Sequence, residues 1–243
     1  MSWLSIGIGA AVAAITVIVV RRSMASDASG GGVGGKKGNP SIASLDTARA
    51  KALTAAWTDA DFRTLDALSK RLKMHTPDLL LVLTSESGLK PTAVYRRASD
   101  GFPVAVGLNQ LTSAANGAAG ITEVQRVELL EKPVSFQLPI IERMFSSMAW
   151  TKSGKSYDNA GVIFAMNFAP SRVVSRGTAL TTVLYEQGKD GVFYDQNKQL
   201  DTGKKGKITV GDLVEYMRRV SSSETYKAGL TRLRAAVGGY GGG

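Results

Sequence analysis

Apolar residues recur at helical spacing along most of the chain. From Ala43 to Met74 they fall at Leu45, Ala48, Ala52, Leu53, Ala56 and Trp57, then at Phe62, Leu65, Leu68 and Leu72, with Asp59 placed to cap a second helix. Thr76-Pro77-Asp78 predicts a helix start. Thr76 is the N-cap, Pro77 takes the first helical position, and Asp78 lies in the first turn, where the partial positive charge of the helix end favours an acid. That helix reads LLLVLTSES and stops near Gly88, with Pro91 just beyond. Thr92 to Gly120 is rich in Gly, Ser, Asp and Asn and predicts loops with a short hairpin or helix. Helical patterns return over 122–131, 134–150, 157–169, 177–187, 211–221 and 223–236. Sustained period-2 alternation is scarce, so the expected fold class is all-α or α-dominated.

The N-terminus reads differently. From Trp3 to Val20 no residue is charged, and as a helix of about 1.5 Å rise per residue the run spans roughly 27 Å, close to a bilayer's hydrocarbon core. A transmembrane helix is expected over 1–22, giving membrane contact through residues 3–20. Arg21 and Arg22 follow the apolar run, which by the positive-inside tendency keeps the rest of the chain cytoplasmic. A secretory signal peptide has the opposite polarity, although MASDASG mimics a cleavage site and leaves that alternative open. Residues 23–40 are Gly/Ser-rich with Lys36 and Lys37 and read as a flexible linker; a folded domain is expected over 41–236 and a disordered tail over 237–243.

Composition narrows the chemistry. Over 243 residues, 44% hydrophobic and 21% charged is ordinary globular usage, which excludes wholesale disorder. Zero cysteines remove disulfides, thiolate metal sites and a cysteine nucleophile. One histidine, His75, removes multi-histidine metal sites and argues against a serine–histidine triad. The net charge of +10 points to a polyanionic partner: DNA, anionic lipid or cell-wall polymer.

Glu86 is the first candidate for chemistry. It ends a helix so apolar, Leu79 to Leu83, that the helix must be buried. Partial desolvation and the negative helix end both raise a carboxyl's pKa toward the value a general acid needs. On helix composition alone the same residue also reads as a last-turn capping or surface glutamate.

Three segments in order bear on that choice: Glu86-Ser87-Gly88, Gly107-Leu108-Asn109-Gln110-Leu111, and Ala165-Met166-Asn167-Phe168-Ala169-Pro170. Together they resemble the motifs of the soluble lytic transglycosylase family, whose fold is similar to goose-type lysozyme. That family has Glu-Ser, then Gly-Leu-Met-Gln roughly twenty residues on, then Ala-Tyr-Asn-Ala-Gly on a later helix. The resemblance covers Thr76 to Val173. It implies a lysozyme-like domain that cleaves peptidoglycan, with Glu86 as the single catalytic acid/base and Ser99, Asn109, Gln110, Asn167 and Phe168 lining the substrate groove. No cofactor and no metal are implied. Met166 replaces the family tyrosine and Ala169 the glycine, whereas Asn167 to Arg172 looks like the variant of phage-encoded members. Asp100 offers a second carboxylate, so two-carboxylate hydrolysis stays open.

Asp201 to Asp212 has the frame of an EF-hand loop, with Gly206 sixth and Ile208 eighth. Gly203 and Lys205 occupy ligand positions and Lys204 and Lys207 repel a cation, so the loop reads as a relic with Asp212 capping the next helix. His75 is read as a local structural residue, and Trp57 and Trp150 as core. From Lys204 to Arg234 bases outnumber acids, which fits a solvated face or contact with DNA or anionic envelope polymers. The expectation is therefore a peptidoglycan-cleaving phage virion protein that acts in the host envelope and touches other virion proteins. The alternatives are a structural or DNA-ejection protein of lysozyme fold and a bacterial membrane-anchored transglycosylase.

Overall fold

A computed structural model describes residues 47–238 of the chain. It begins with three helices, α1 (Thr47–Leu53), α2 (Asp59–Arg71) and α3 (Thr76–Ser87). Thr58 caps α2 by a reciprocal box: its side chain accepts the Asp61 N–H while the Asp61 carboxylate accepts the Thr58 N–H at 2.7 Å. Phe62, Leu65 and Leu68 form the buried stripe of that helix. α3 is buried on nearly every side, Leu79 to Leu83 included, so it runs through the core. His75 stands at the N-cap position with its imidazole 3.5 Å from Asp78 rather than on the first backbone N–H groups, and the Thr76 hydroxyl donates to Asp66 Oδ1 at 2.9 Å. Gly88 ends α3 in the left-handed conformation (φ 61°), which glycine adopts without a Cβ clash.

A small antiparallel sheet follows, β1 (Val94–Arg96), β2 (Pro103–Val106) and β3 (Leu111–Thr112), in that spatial order. The fully buried Arg126 fastens this sheet, donating to the carbonyls of Pro103, Val104 and Leu111 and pairing with Glu123. The helices α4 (Asn116–Ala119), α5 (Glu123–Glu128), α6 (Val134–Ser147) and α7 (Ala149–Lys152) lead to α8 (Ala160–Phe168), and every residue of α8 is buried. Then come α9 (Pro170–Arg176), β4 (Val183–Glu186), α10 (Gly191–Asn197), β5 (Lys207–Thr209), α11 (Val210–Val220) and α12 (Glu224–Val237). β4 and β5 pair antiparallel.

Two close contacts set the packing of the second half. A Cβ on Gly161 of α8 would lie 2.7 Å from Val214 Cα of α11, so only glycine lets these helix backbones meet. α12 packs on α1, α2 and α3. Its Arg232 guanidinium donates to Thr54 O, Trp57 O and Asp59 and lies over the Phe62 ring.

The structure corrects the expected fold class. The described chain is α-dominated, with two small antiparallel sheets that an all-α fold would lack; β1–β3 and β4–β5 pair strands too short to show alternation. No helix among the described residues is long and apolar enough to cross a membrane, so the fold class as described includes no transmembrane helix. The segment 1–22 expected to form one lies outside the described residues, as do the linker over 23–40 and residues 239–243. Val237 and Gly238, placed in a disordered tail, are the last residue and the left-handed cap of α12. The helix expected over 177–187 is a turn followed by β4.

Candidate active site

Met74 and Tyr157 form a parallel bridge just ahead of α3 and α8, so the two buried helices start side by side and run the same way. Their last turns therefore meet, α3 ending at Gly88 and α8 at Ala169, where Pro170 opens the next helix. Glu86 and Asn167 stand on those last turns. Asn167 Nδ2 donates to Glu86 Oε1 at 2.8 Å. The Glu86 residue is half-buried, and burial of its carboxyl away from water pushes it up to about 8, with the Asn167 amide pulling the other way. Two converging helix C-termini add partial negative charge at the same place. At neutral pH Glu86 is thus a protonated acid that keeps access to solvent.

Asn109 joins the pair from the turn between β2 and β3. Its Nδ2 donates to Asn167 Oδ1 at 2.9 Å and points a second hydrogen at Met144 Sδ, 3.6 Å away. The turn is built around Gly107 (φ 75°), where a Cβ would lie 2.5 Å from Gln137 Oε1. Gln137 is buried; it accepts from Leu108 N and donates to Pro91 O, Leu129 O and Lys132 O. One amide side chain therefore fixes the turn that carries Asn109 and the chain just after Glu86.

No protein family, curated protein or solved structure matches the chain. The site is accordingly read from its own geometry.

The other expected residues are placed as follows. Gln110 is buried with φ 45°, and its amide donates to Ala93 O and Gly107 O, holding the turn together. Phe168 is in the core, 6.0 Å from the Phe164 ring and edge-on to Tyr185 at 5.2 Å. Ser99 and Asp100 lie in the exposed turn between β1 and β2, where Asp100 accepts from Phe102 N and Arg97. The structure thus brings together Glu86, Asn109 and Asn167. It gives Gln110 and Phe168 structural partners and leaves Ser99 on a hairpin tip.

Tyr216 of α11 completes the setting and was not singled out from the sequence. Its hydroxyl accepts from Ser85 Oγ at 3.4 Å, and its ring is 5.6 Å from Phe164. Burial pushes the phenol up, the Ser85 hydroxyl opposes this, and the Glu86 charge adds a further upward push. A phenol from α11 therefore stands beside Glu86, while α8 has Met166 one residue before Asn167. In the sequence Tyr216 reads as one more aromatic in an amphipathic helix.

Among the described residues no group of three or more His, Asp or Glu side chains could hold a metal ion. In the loop from Asp201 to Asp212 the Lys205 ammonium donates to both Asp212 oxygens, at 2.9 and 3.0 Å. Asp212 serves as the third residue of α11 in a capping box, and the N-cap is Thr209. Several bases of the C-terminal region are likewise engaged inside the fold: Lys205 with Asp212, Arg218 with Glu215 and Arg232 with Asp59.

Proposed function

We propose that the chain is a peptidoglycan lytic transglycosylase carried in a phage virion, cutting the β-1,4 bond between N-acetylmuramic acid and N-acetylglucosamine during genome entry. The Glu86–Asn167 pair carries this reading. A carboxyl held protonated at neutral pH, open on one side and hydrogen-bonded on the other, is equipped to give a proton and to take one back.

Glu86 donates its proton to the glycosidic oxygen as the bond to the muramyl C1 breaks and positive charge develops on C1 and the ring oxygen. The carboxylate left behind accepts a hydrogen bond from Asn167. It then takes the proton of the muramyl C6 hydroxyl, whose oxygen bonds to C1 and closes a 1,6-anhydro ring. Because the nucleophile belongs to the sugar, its attack is intramolecular and one carboxylate suffices. Asp100, which a hydrolytic route would need, is held by hydrogen bonds within its own hairpin. The phage setting is supported by the similarity of Asn167 to Arg172 to the phage-encoded form of the third motif.

The test is digestion of purified peptidoglycan. The chain is expected to release muropeptides with 1,6-anhydro ends, and Glu86→Gln to slow release by roughly 10²–10⁴-fold. Hydrated reducing ends by mass spectrometry would overturn the lyase route. No release by a folded chain would favour a structural part of an ejection apparatus, a reading helped by the inward-turned Gln110 amide and the buried Phe168 ring. Mass spectrometry of purified virions tests the location.

A further inference from the structure

Glu86 feels Asn167 differently depending on which end of that amide it meets. Nδ2 stabilises the carboxylate, whereas Oδ1 could only accept from the protonated acid. Asn167 is buried, so its orientation is decided by its neighbours. The partner on its far side is Asn109, whose Nδ2 donates to Asn167 Oδ1 and so turns Asn167 Nδ2 toward Glu86. Asn109 is held in turn by Met144, whose sulfur takes the second hydrogen of the same Nδ2. Reversing Asn109 alone would set two carbonyl oxygens against each other.

We propose that Asn109 is a positioning residue that fixes the donor end of the Asn167 amide on Glu86. This rests on the reading of Glu86 as the acid/base. A second observation supports it: Asn109 Oδ1 is buried and has no hydrogen-bond partner from the described residues. A buried unpaired carbonyl costs stability, and Asn109 carries that cost together with its donor to Asn167. Asparagine is the better residue here for its donor. In the reaction the donor end matters at the return step. A carboxylate facing Nδ2 is stabilised enough to form, while one facing Oδ1 would hold its proton and stall.

Few other groups bear on the titration of Glu86. From α8 it faces neutral Asn167, and from α11 the Tyr216 phenol, neutral throughout the relevant range, with the Arg219 guanidinium over that ring at 5.9 Å from its centroid. The turn over 107–110 presents only neutral Asn109 and Gln110. Asp78 and the imidazole of His75, just ahead of α3, stand at the opposite end of that helix, where Tyr226 of α12 also lies.

The experiment is a pH titration of the full chain carrying ¹³C-carboxyl glutamate, with the Glu86 resonance assigned through Glu86→Gln. Asn109→Met is expected to raise the Glu86 titration midpoint by about one pH unit, the scale of a lost charge-assisted hydrogen bond. One unpaired buried carbonyl, Asn109 Oδ1, is removed and another, Asn167 Oδ1, loses its donor, so the thermal unfolding midpoint is expected to be nearly unchanged, and Asn109→Leu should give the same titration shift. An unmoved midpoint in both variants overturns the proposal, as does a shift seen only in Asn167→Leu. The titration needs no substrate. A shift in a chain that cleaves no peptidoglycan therefore supports Asn109 as the positioning residue and overturns the proposed activity alone. Cleavage with an unmoved midpoint overturns the positioning role alone.

Discussion

At the scale of single residues, holding Glu86 protonated works against the fold, and the pH dependence of stability exposes it. The carboxyl lies at about 8 in the folded chain against an ordinary value of 4.5. Below the ordinary value both states bind the proton and Glu86 costs nothing. As pH rises toward 8 the unfolded chain releases its proton while the folded chain keeps it, so stability falls; above 8 the penalty is constant. Glu86→Gln keeps an oxygen for the Asn167 donor and removes the ionisation. We expect it to unfold at a higher temperature than the parent, by a margin that widens from about pH 4.5 to pH 8 and then levels. A margin flat across that range in calorimetry would show that Glu86 is not buried as described. Glu86 was legible in the sequence because an acid at the end of an all-apolar helix is a local signal. The inward turn of Asn109 and Gln110 was not, since it depends on the left-handed φ of Gln110 and on Gln137, a residue on another helix.

At the scale of elements, the helices announced themselves through caps and apolar stripes, and the strands did not. Val183 to Glu186 reads as part of a helical run because its partner, Lys207–Thr209, is far along the sequence and both strands are short. The loop before β5 explains how that pairing is held. Asp201 accepts the N–H groups of Lys205, Gly206 and Lys207, as the first residue of an EF-hand loop does, and the Lys205 ammonium sits on Asp212 where such a loop would hold its ion. Hydrogen bonds from Thr202, Thr209 and Lys205 outweigh the burial of Asp212 and hold its carboxyl down to about 2. Lys205→Met is expected to cost about 1–2 kcal/mol at neutral pH, because Asp212 keeps its threonine partners but loses its counter-charge. With a lowered folded value, the Asp212 contribution is present above pH 4 and lost as pH falls toward 2. The difference between parent and variant in urea unfolding should therefore shrink over that acid interval; a difference unchanged at pH 2 would mean that the pair does not stabilise the loop.

At the scale of the whole molecule, the segment that carries the three motifs is not a folding unit of its own. α8 is buried along its full length, and one of its walls is α11, brought within backbone contact at Gly161. α3 has α12 against it, with Gly229 set against Leu80 and Leu89 on either side of Glu86 in the sequence. The Arg232 guanidinium then ties α12 back to Thr54, Trp57 and Asp59 in the first helices. Resemblance pointed to the span between Thr76 and Val173, because motifs are short and local; the two helices that carry Glu86 and Asn167 are packed in part by residues after Val173 and before Thr76. A chain cut after Arg176 would expose the apolar wall of α8 and one side of α3, at a cost of roughly 25 cal/mol per Å² of apolar surface against a total stability of only about 5–15 kcal/mol. We expect the truncated chain to show no cooperative thermal transition by circular dichroism. The full chain should unfold in one transition, with equal calorimetric and van't Hoff enthalpies. Two separate transitions in the full chain, or a cooperative melt of the fragment, would mean that the helices after Arg176 are an appendage, and that the pKa of Glu86 is set without them.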